Sequence, residues 1–419
     1  MQKKQKAHYT MKRTTYLLLS LLMFASCVNE YKVPEEVTSL YEKKLVVDGR
    51  ILADEMSVVY LTYTTPVGSF DKGEPALNAD ITIVGQNGYE SQKAEYDKEN
   101  KRYVIPTYDL SNDTQYAINI KHEGETYQSE FQPILDTPEI ERVTWEEKED
   151  GLALYVTTQG EKSGSRNYMW TFDEDWEFHS EMDFTRPLTT GRWFYDQKDY
   201  PLGKEGENLY YYCWMHNESS LIHIYDTKNL NENKVIDHQF LHIPIDDIRI
   251  SYIYSILVKQ ANISDKVYEY YRLMKLYTQE SSGIFTPMPT EVEGNVKCIS
   301  NPDKKINGVV IASKMTSKRI FVYAEDFENL VPEYSDCIPV YGYQKFKGDY
   351  TDFYWQSAWI KEMNNFSAFI YVLDSNYAES LEQSKIDQHS ILYSPICMDC
   401  RKVQNATKKR PDFWPNNHE

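Results

Sequence analysis

Apolar and polar residues alternate through most of this chain, and the alternation predicts strands. The segment Gln115 to Lys121 shows it best: Tyr116, Ile118 and Ile120 fall on one face, with Ala117, Asn119 and Lys121 on the other. Leu45 to Arg50, Ser57 to Tyr63, Ala79 to Val84 and Thr126 to Phe131 read the same way. Gly85-Gln86-Asn87-Gly88 closes the third of these, since Asn-Gly tolerates positive φ. Short strands at this spacing predict an immunoglobulin/fibronectin-like β-sandwich over residues 45–135. Leu110, Thr114, Tyr116, Ile118 and Ile120 also repeat the strand-entry spacing of such sandwiches, where a tyrosine folds back onto the corner.

Asp136-Thr137-Pro138 marks a joint. Beyond it, Ile140 to Trp145 and Leu152 to Thr158 flank the turn Glu149-Asp150-Gly151. Residues 136–419 are expected to form a larger β-rich domain with one prominent helix near 264–280. Ser264 is the expected N-cap, and Asp265 suits the first turn. Val267, Tyr270, Tyr271, Met274 and Tyr277 recur at helical spacing and should face a sheet. The fold class is therefore mainly β.

The start of the chain breaks the pattern. Met11-Lys12-Arg13 precedes an apolar run from Tyr16 to Ala25, then Ser26-Cys27. A run of ten residues falls short of the ~20 that span a bilayer, so it reads as a processed signal. Small residues before a cysteine predict a lipoprotein signal peptide at 1–26, lipid attachment at Cys27 and a tether at 27–44. The signal carries five basic and no acidic residues, so its loss takes the net charge from −19 to −24. Such a surface repels phosphate backbones, which argues against nucleic acid.

Apolar content of 41% supports sizeable cores, and 35 Tyr with 8 Trp favours strands. Besides Cys27 the chain holds Cys213, Cys298, Cys337, Cys397 and Cys400, all disulfide candidates; five cannot all pair within one chain. Disulfides, free thiols or a metal remain open for Cys397-Met398-Asp399-Cys400. The familiar metalloprotease, hydrolase, phosphate-loop and EF-hand motifs are absent. His238 and His242 have helical metal spacing in a stretch that reads as a strand, where they lie ~13 Å apart. Acidic runs such as Asp173-Glu174-Asp175 read as solvated faces. No catalytic, metal or cofactor residue is assigned. Aromatic residues crowd between Tyr168 and Trp214. Tyr168, Trp170 and Phe172 should be core, and Trp193, Phe194 and Tyr195 are candidates for an interface.

Several segments together resemble one family. They are Met169 to Phe172, Trp176 to Phe178, Tyr212 to Trp214, Val258 to Gln260, Gly283 to Val296, Cys397 to Arg401, and Arg410 to Trp414. In this order they resemble the Bacteroidota lipoproteins called domain of unknown function 4249. The resemblance implies an outer-membrane lipoprotein, often encoded beside a TonB-dependent transporter, and it carries over no catalytic residue. The expected function is a lipid-anchored accessory of such a transporter in nutrient uptake. A free-standing glycan- or peptide-binding lipoprotein is the alternative, ahead of an envelope hydrolase.

Overall fold

A computed structural model describes residues 43–65, 73–108, 110–180, 211–219, 223–278, 292–331, 339–340, 370–372, 391–393 and 399–415. The alternating segments are strands. The first group is β1 (Leu45–Ala53), β2 (Glu55–Tyr63), β3 (Asp80–Gly85), β4 (Glu95–Asp97), β5 (Arg102–Thr107), β6 (Gln115–His122), β7 (Glu125–Ser129) and β8 (Gln132–Pro133). The second is β9 (Ile140–Lys148), β10 (Gly151–Gln159), β11 (Asn167–His179), β12 (Tyr212–Glu218), β13 (His223–Asp226), β14 (Lys234–Pro244) and β15 (Ile253–Asn262). Helix α1 (Asp265–Thr278) precedes β16 (Val296–Cys298) and β17 (Asn307–Tyr323). Three short strands, β18 (Pro339–Val340), β19 (Ile370–Val372) and β20 (Ile391–Tyr393), pair in the order β18-β20-β19.

One nine-stranded sheet runs β12-β11-β15-β17-β1-β2-β5-β4, with β13 also pairing β11. The sheet β16-β7-β6-β3 covers one half of it, and β14-β10-β9 covers the other. The fold is thus mainly β, with two sandwiches sharing one sheet. Period-2 alternation fills the first sandwich with Val47, Ile51, Val59, Leu61 and Ile105 from one side and Ile81, Ile83, Ile118 and Ile120 from the other. Each such side chain contributes about 1.5–3 kcal/mol on burial. Tyr116 is buried edge-on against Tyr89, with ring centroids 5.6 Å apart. The hydroxyl that pins the chain belongs instead to Tyr103, which accepts from the Ala79 N–H at 3.1 Å and donates to the Ala76 carbonyl at 2.8 Å.

The first sandwich, read from sequence as 45–135, also takes in strands from beyond residue 290. β16 pairs with β7, and the first half of β17 lies parallel to β1. The second half of β17, from Met315, pairs antiparallel with β15. Strand edges need partners for their N–H and C=O groups, and here those partners come from far along the chain.

At this seam two backbones approach too closely for side chains. A Cβ on Gly294 would fall 1.6 Å from the Gly308 carbonyl oxygen. Gly308 itself has φ +149°, and a Cβ there would meet Val47 O at 2.2 Å. Asn295 splices the seam by donating from Nδ2 to Val310 O and accepting from Val310 N, each at 2.7 Å.

The second core is aromatic. Tyr168, Trp170 and Phe172 are buried in it, as their alternation predicts. The Trp170 indole N–H donates to Gln260 Oε1 at 2.8 Å, and Gln260 Nε2 donates to Pro138 O and Thr158 Oγ1. Helix α1 begins after Ser264, whose Oγ accepts from Val267 N at 3.4 Å. Its Val267 and Tyr270 pack on Met169, Ala261, Val309 and Ile311, on the sheet face opposite both cores.

Candidate functional site

That opposite face of the nine-stranded sheet carries the candidate site. Alternation sends Asp48, Arg50 and Leu52 of β1 away from the first core, with Met56, Val58 and Tyr60 of β2 and Arg102 of β5. From the other half of the sheet come Lys259 of β15, Asp173 of β11 and Glu218 of β12. β12 and β5 are six strand spacings apart, roughly 29 Å on a flat sheet. Yet Arg102 Nη1 lies 3.3 Å from Glu218 Oε1, and the Tyr60 hydroxyl donates to Glu218 Oε2 at 3.2 Å. The sheet must therefore curl, and this face is its hollow side. A groove of about 350 Å³ lies in the hollow, lined by Arg50, Leu52, Asp54, Glu55, Met56, Val58, Tyr60, Arg102, Tyr108, Lys259 and Met315.

The three cations of the groove differ in how they are held. Arg102 also donates to the Tyr60 oxygen at 3.2 Å and lies 3.5 Å from Asp97. Lys259 pairs with Asp173 at 2.5 Å. Arg50 makes no side-chain hydrogen bond to a described residue; its nearest carboxylate oxygen, on Asp48, is 3.7 Å away. Its Nε is buried without a partner, while 21% of the side chain stays exposed. Burial works against the Arg50 charge, but Asp48, Tyr271, Tyr60 and Glu218 outweigh it and raise its pKa. Burial raises the Glu55 carboxyl above its usual range, with Lys259 working against it. The arrangement offers an ionised guanidinium with spare donors beside apolar and phenolic surface, which suits recognition of an anion.

At the β12 edge the C-terminal segment fastens to both faces of the sheet, with Cys400 in the second core and Trp414 on the groove face. Cys213 on β12 is bonded to Cys400. Trp214 and Thr407 exchange backbone hydrogen bonds at 2.8 and 2.9 Å. The Trp414 indole donates to buried Glu177 at 2.6 Å, and the Arg319 guanidinium lies 3.6 Å from the Phe413 ring centre.

The other residues singled out from sequence fall as follows. Cys298 is not in a disulfide: it is a buried free thiol, 3.8 Å from Glu125 Oε2, because β16 carries it into the edge of the first core. Cys27, Cys337, Cys397, Trp193, Phe194 and Tyr195 lie outside the described residues. His238 packs against Trp170 and Tyr225, whereas His242 sits 3.6 Å from Asp150. A register shift in the β10–β14 pairing falls between them. No group of three His, Cys, Asp or Glu among the described residues is placed to hold a metal. Of the acidic run, Glu174 and Asp175 are not solvated but buried: Glu174 accepts from Arg249 at 2.6 Å, Tyr254 at 2.7 Å and Asn217 at 2.9 Å, and Asp175 pairs with His216 at 2.8 Å and Arg319 at 3.0 Å. The groove itself escaped sequence reading. Its only local signal was charge at the outward positions of an otherwise apolar strand, Asp48 and Arg50 in β1.

Residues 29–319 match the family described as Domain of unknown function (DUF4249). The chain belongs to this DUF4249 family. No curated protein matches it. Among solved structures, a two-domain fibronectin type III segment of chicken tenascin is similar at 11% identity. That likeness covers 52% of this chain and 91% of that one, with a TM-score of 0.15. A structure of manganese lipoxygenase of Gaeumannomyces graminis with part of zonadhesin of Komagataella pastoris is similar at 10% identity, over 53% and 89%, with a TM-score of 0.14. TM-scores this low describe no shared overall arrangement. Within this DUF4249 chain, the segments that carried the resemblance have structural work. Gly294-Asn295 forms the seam, Gln260 satisfies Trp170, and Cys213 and Trp414 fasten the C-terminal segment.

Proposed function

We propose that this protein is a lipid-anchored binding protein of the bacterial cell envelope, working as the accessory of a TonB-dependent outer-membrane transporter in nutrient uptake. The observation that carries the binding role is the groove inside the curled sheet. Its walls are strands tied into one hydrogen-bonded sheet, so its side chains are held in place before a ligand arrives. The Cys213–Cys400 disulfide favours an oxidising compartment outside the cytoplasm. The signal-like start with Cys27 supplies the anchor, and the acidic surface favours a lipid anchor over electrostatic membrane contact.

The test is a mild-detergent purification of the full-length protein from its native membranes, with crosslinking and mass spectrometry. A TonB-dependent barrel in stoichiometric amount is the expected result. Recovery of the protein alone at native expression would overturn the accessory role and leave a free-standing binder. The groove itself favours that second reading.

A further inference from the structure

We propose that the groove binds a small monocarboxylate with an apolar body, its carboxylate seated on Arg50. The inference rests on the binding role proposed above and names the ligand class.

Arg50 is the deciding residue. Arg102 and Lys259 already have close oxygen partners, at 3.2–3.3 Å and 2.5 Å. Arg50 has only a 3.7 Å approach to Asp48 and no side-chain hydrogen bond to a described residue. A half-buried guanidinium left this way keeps donors in a fork that matches the two oxygens of a carboxylate. Burying a charge without hydrogen bonds is costly, and a carboxylate supplies what Arg50 lacks.

The surroundings narrow the anion. Asp54 and Glu55 line the same groove, while Asp48, Asp173 and Glu218 stand around it. This much negative charge disfavours a phosphate dianion more than a single carboxylate. Met56, Val58, Met315, Tyr60 and Tyr108 supply apolar and aromatic wall among the charged groups, so the rest of the ligand should present apolar or aromatic surface to them. A volume of about 350 Å³ is at the small end for ligand pockets. It admits a compact molecule, either a free organic acid or the C-terminus of a very short peptide.

Calorimetric titration of the full-length protein in detergent tests this. The probes are 3-phenylpropanoate, N-acetyl-alanyl-phenylalanine with a free carboxylate, the neutral 3-phenylpropanamide, and inorganic phosphate. One or both carboxylates should bind, and which one does separates the free acid from the peptide terminus. The amide and phosphate should bind at least roughly tenfold more weakly. Arg50→Gln should cost a similar factor at an unchanged melting temperature. Met315→Trp, which fills the groove and leaves Arg50 intact, should block binding if Arg50→Gln fails to fold. Equal binding of acid and amide, preference for phosphate, binding indifferent to these variants, or no carboxylate binding would each overturn the inference. A chain that binds no carboxylate yet still purifies with a barrel would overturn this inference alone. Carboxylate binding without a barrel would overturn only the accessory role.

Discussion

The first sandwich is filled by aliphatic chains such as Ile81, Ile83, Ile105 and Ile118, whereas the second packs Trp170, Phe172, Trp176 and Tyr254 around polar groups. Those polar groups include Glu174 and Gln260, both buried and both hydrogen-bonded. An aliphatic core gains stability in proportion to the area it removes from water and demands little else. A core with buried charge holds only while each partner is in place, because a stranded ion costs several kcal/mol. The two halves should therefore fail in different ways, although they share β17.

The shared seam is where the difference should vanish. Gly294→Ala drives a Cβ into the Gly308 backbone and should cost more than about 4 kcal/mol. Both halves should weaken together. Among the described residues every tryptophan packs in or beside the second sandwich and none in the first, so their fluorescence reports the second. Hydrogen exchange at β3 and β6 reports the first. Loss of protection in one half only would show that β17 does not couple them.

Next in size is Glu174→Ala. It leaves Arg249 with Asp247 as its remaining partner and strips the hydroxyl acceptor from Tyr254. Breaking such a buried pair should cost roughly 3–5 kcal/mol, read by urea unfolding followed at tryptophan. A loss below 1 kcal/mol would mean that the second core does not depend on its buried charge.

Reduction, or the double change Cys213→Ser with Cys400→Ser, should cost about 2–4 kcal/mol. The effect belongs to the second half, where the bond fastens the C-terminal segment to β12. Limited proteolysis should then cut near Thr407 while β1 to β7 stay protected. Equal cleavage in both halves would contradict the division.

The smallest expected effect is that of pH. Burial, then Lys275 and His238, push His223 down to about 4. Its ring sits against Phe172 and Phe240, and its Nε2 is buried without a partner. An unfolded histidine takes up its proton near 6.5, so His223 contributes stability that is intact above that pH. This contribution drains away as pH falls towards 4, by roughly 3 kcal/mol at most. His216 works in the opposite sense: its hydrogen bond to Asp175 outweighs burial and raises its pKa, so its contribution is present below 6.5 and lost as pH rises through the folded value. In the first sandwich burial lowers His122 as well, with Glu123 working against the shift. His223→Gln should flatten the acid limb of the tryptophan transition. An unchanged limb would remove His223 from the account.

Much of the fold is legible locally. Period 2 marks the strands of both sandwiches, Asn87-Gly88 marks its turn with Gly88 at φ +85°, and Ser264 marks the start of α1. Tyr168, Trp170 and Phe172 alternate into the core as their spacing requires. The site is not legible in the same way. Arg50, Arg102, Glu218 and Lys259 come from four strands, and nothing near any one of them names the others.

The sequence by itself determines strand, turn and helix, and which face of each strand is apolar, because those depend on neighbours within a few positions. Tertiary structure alone decides that residues 294–314 return to the first sandwich, that Cys213 meets Cys400 while Cys298 stays free, and that Glu218 reaches across to Arg102. The physical reason is that a strand edge carries the same N–H and C=O groups whatever its sequence. Its partner, and the curl that makes the groove, are chosen by how the whole set of faces can be buried at once.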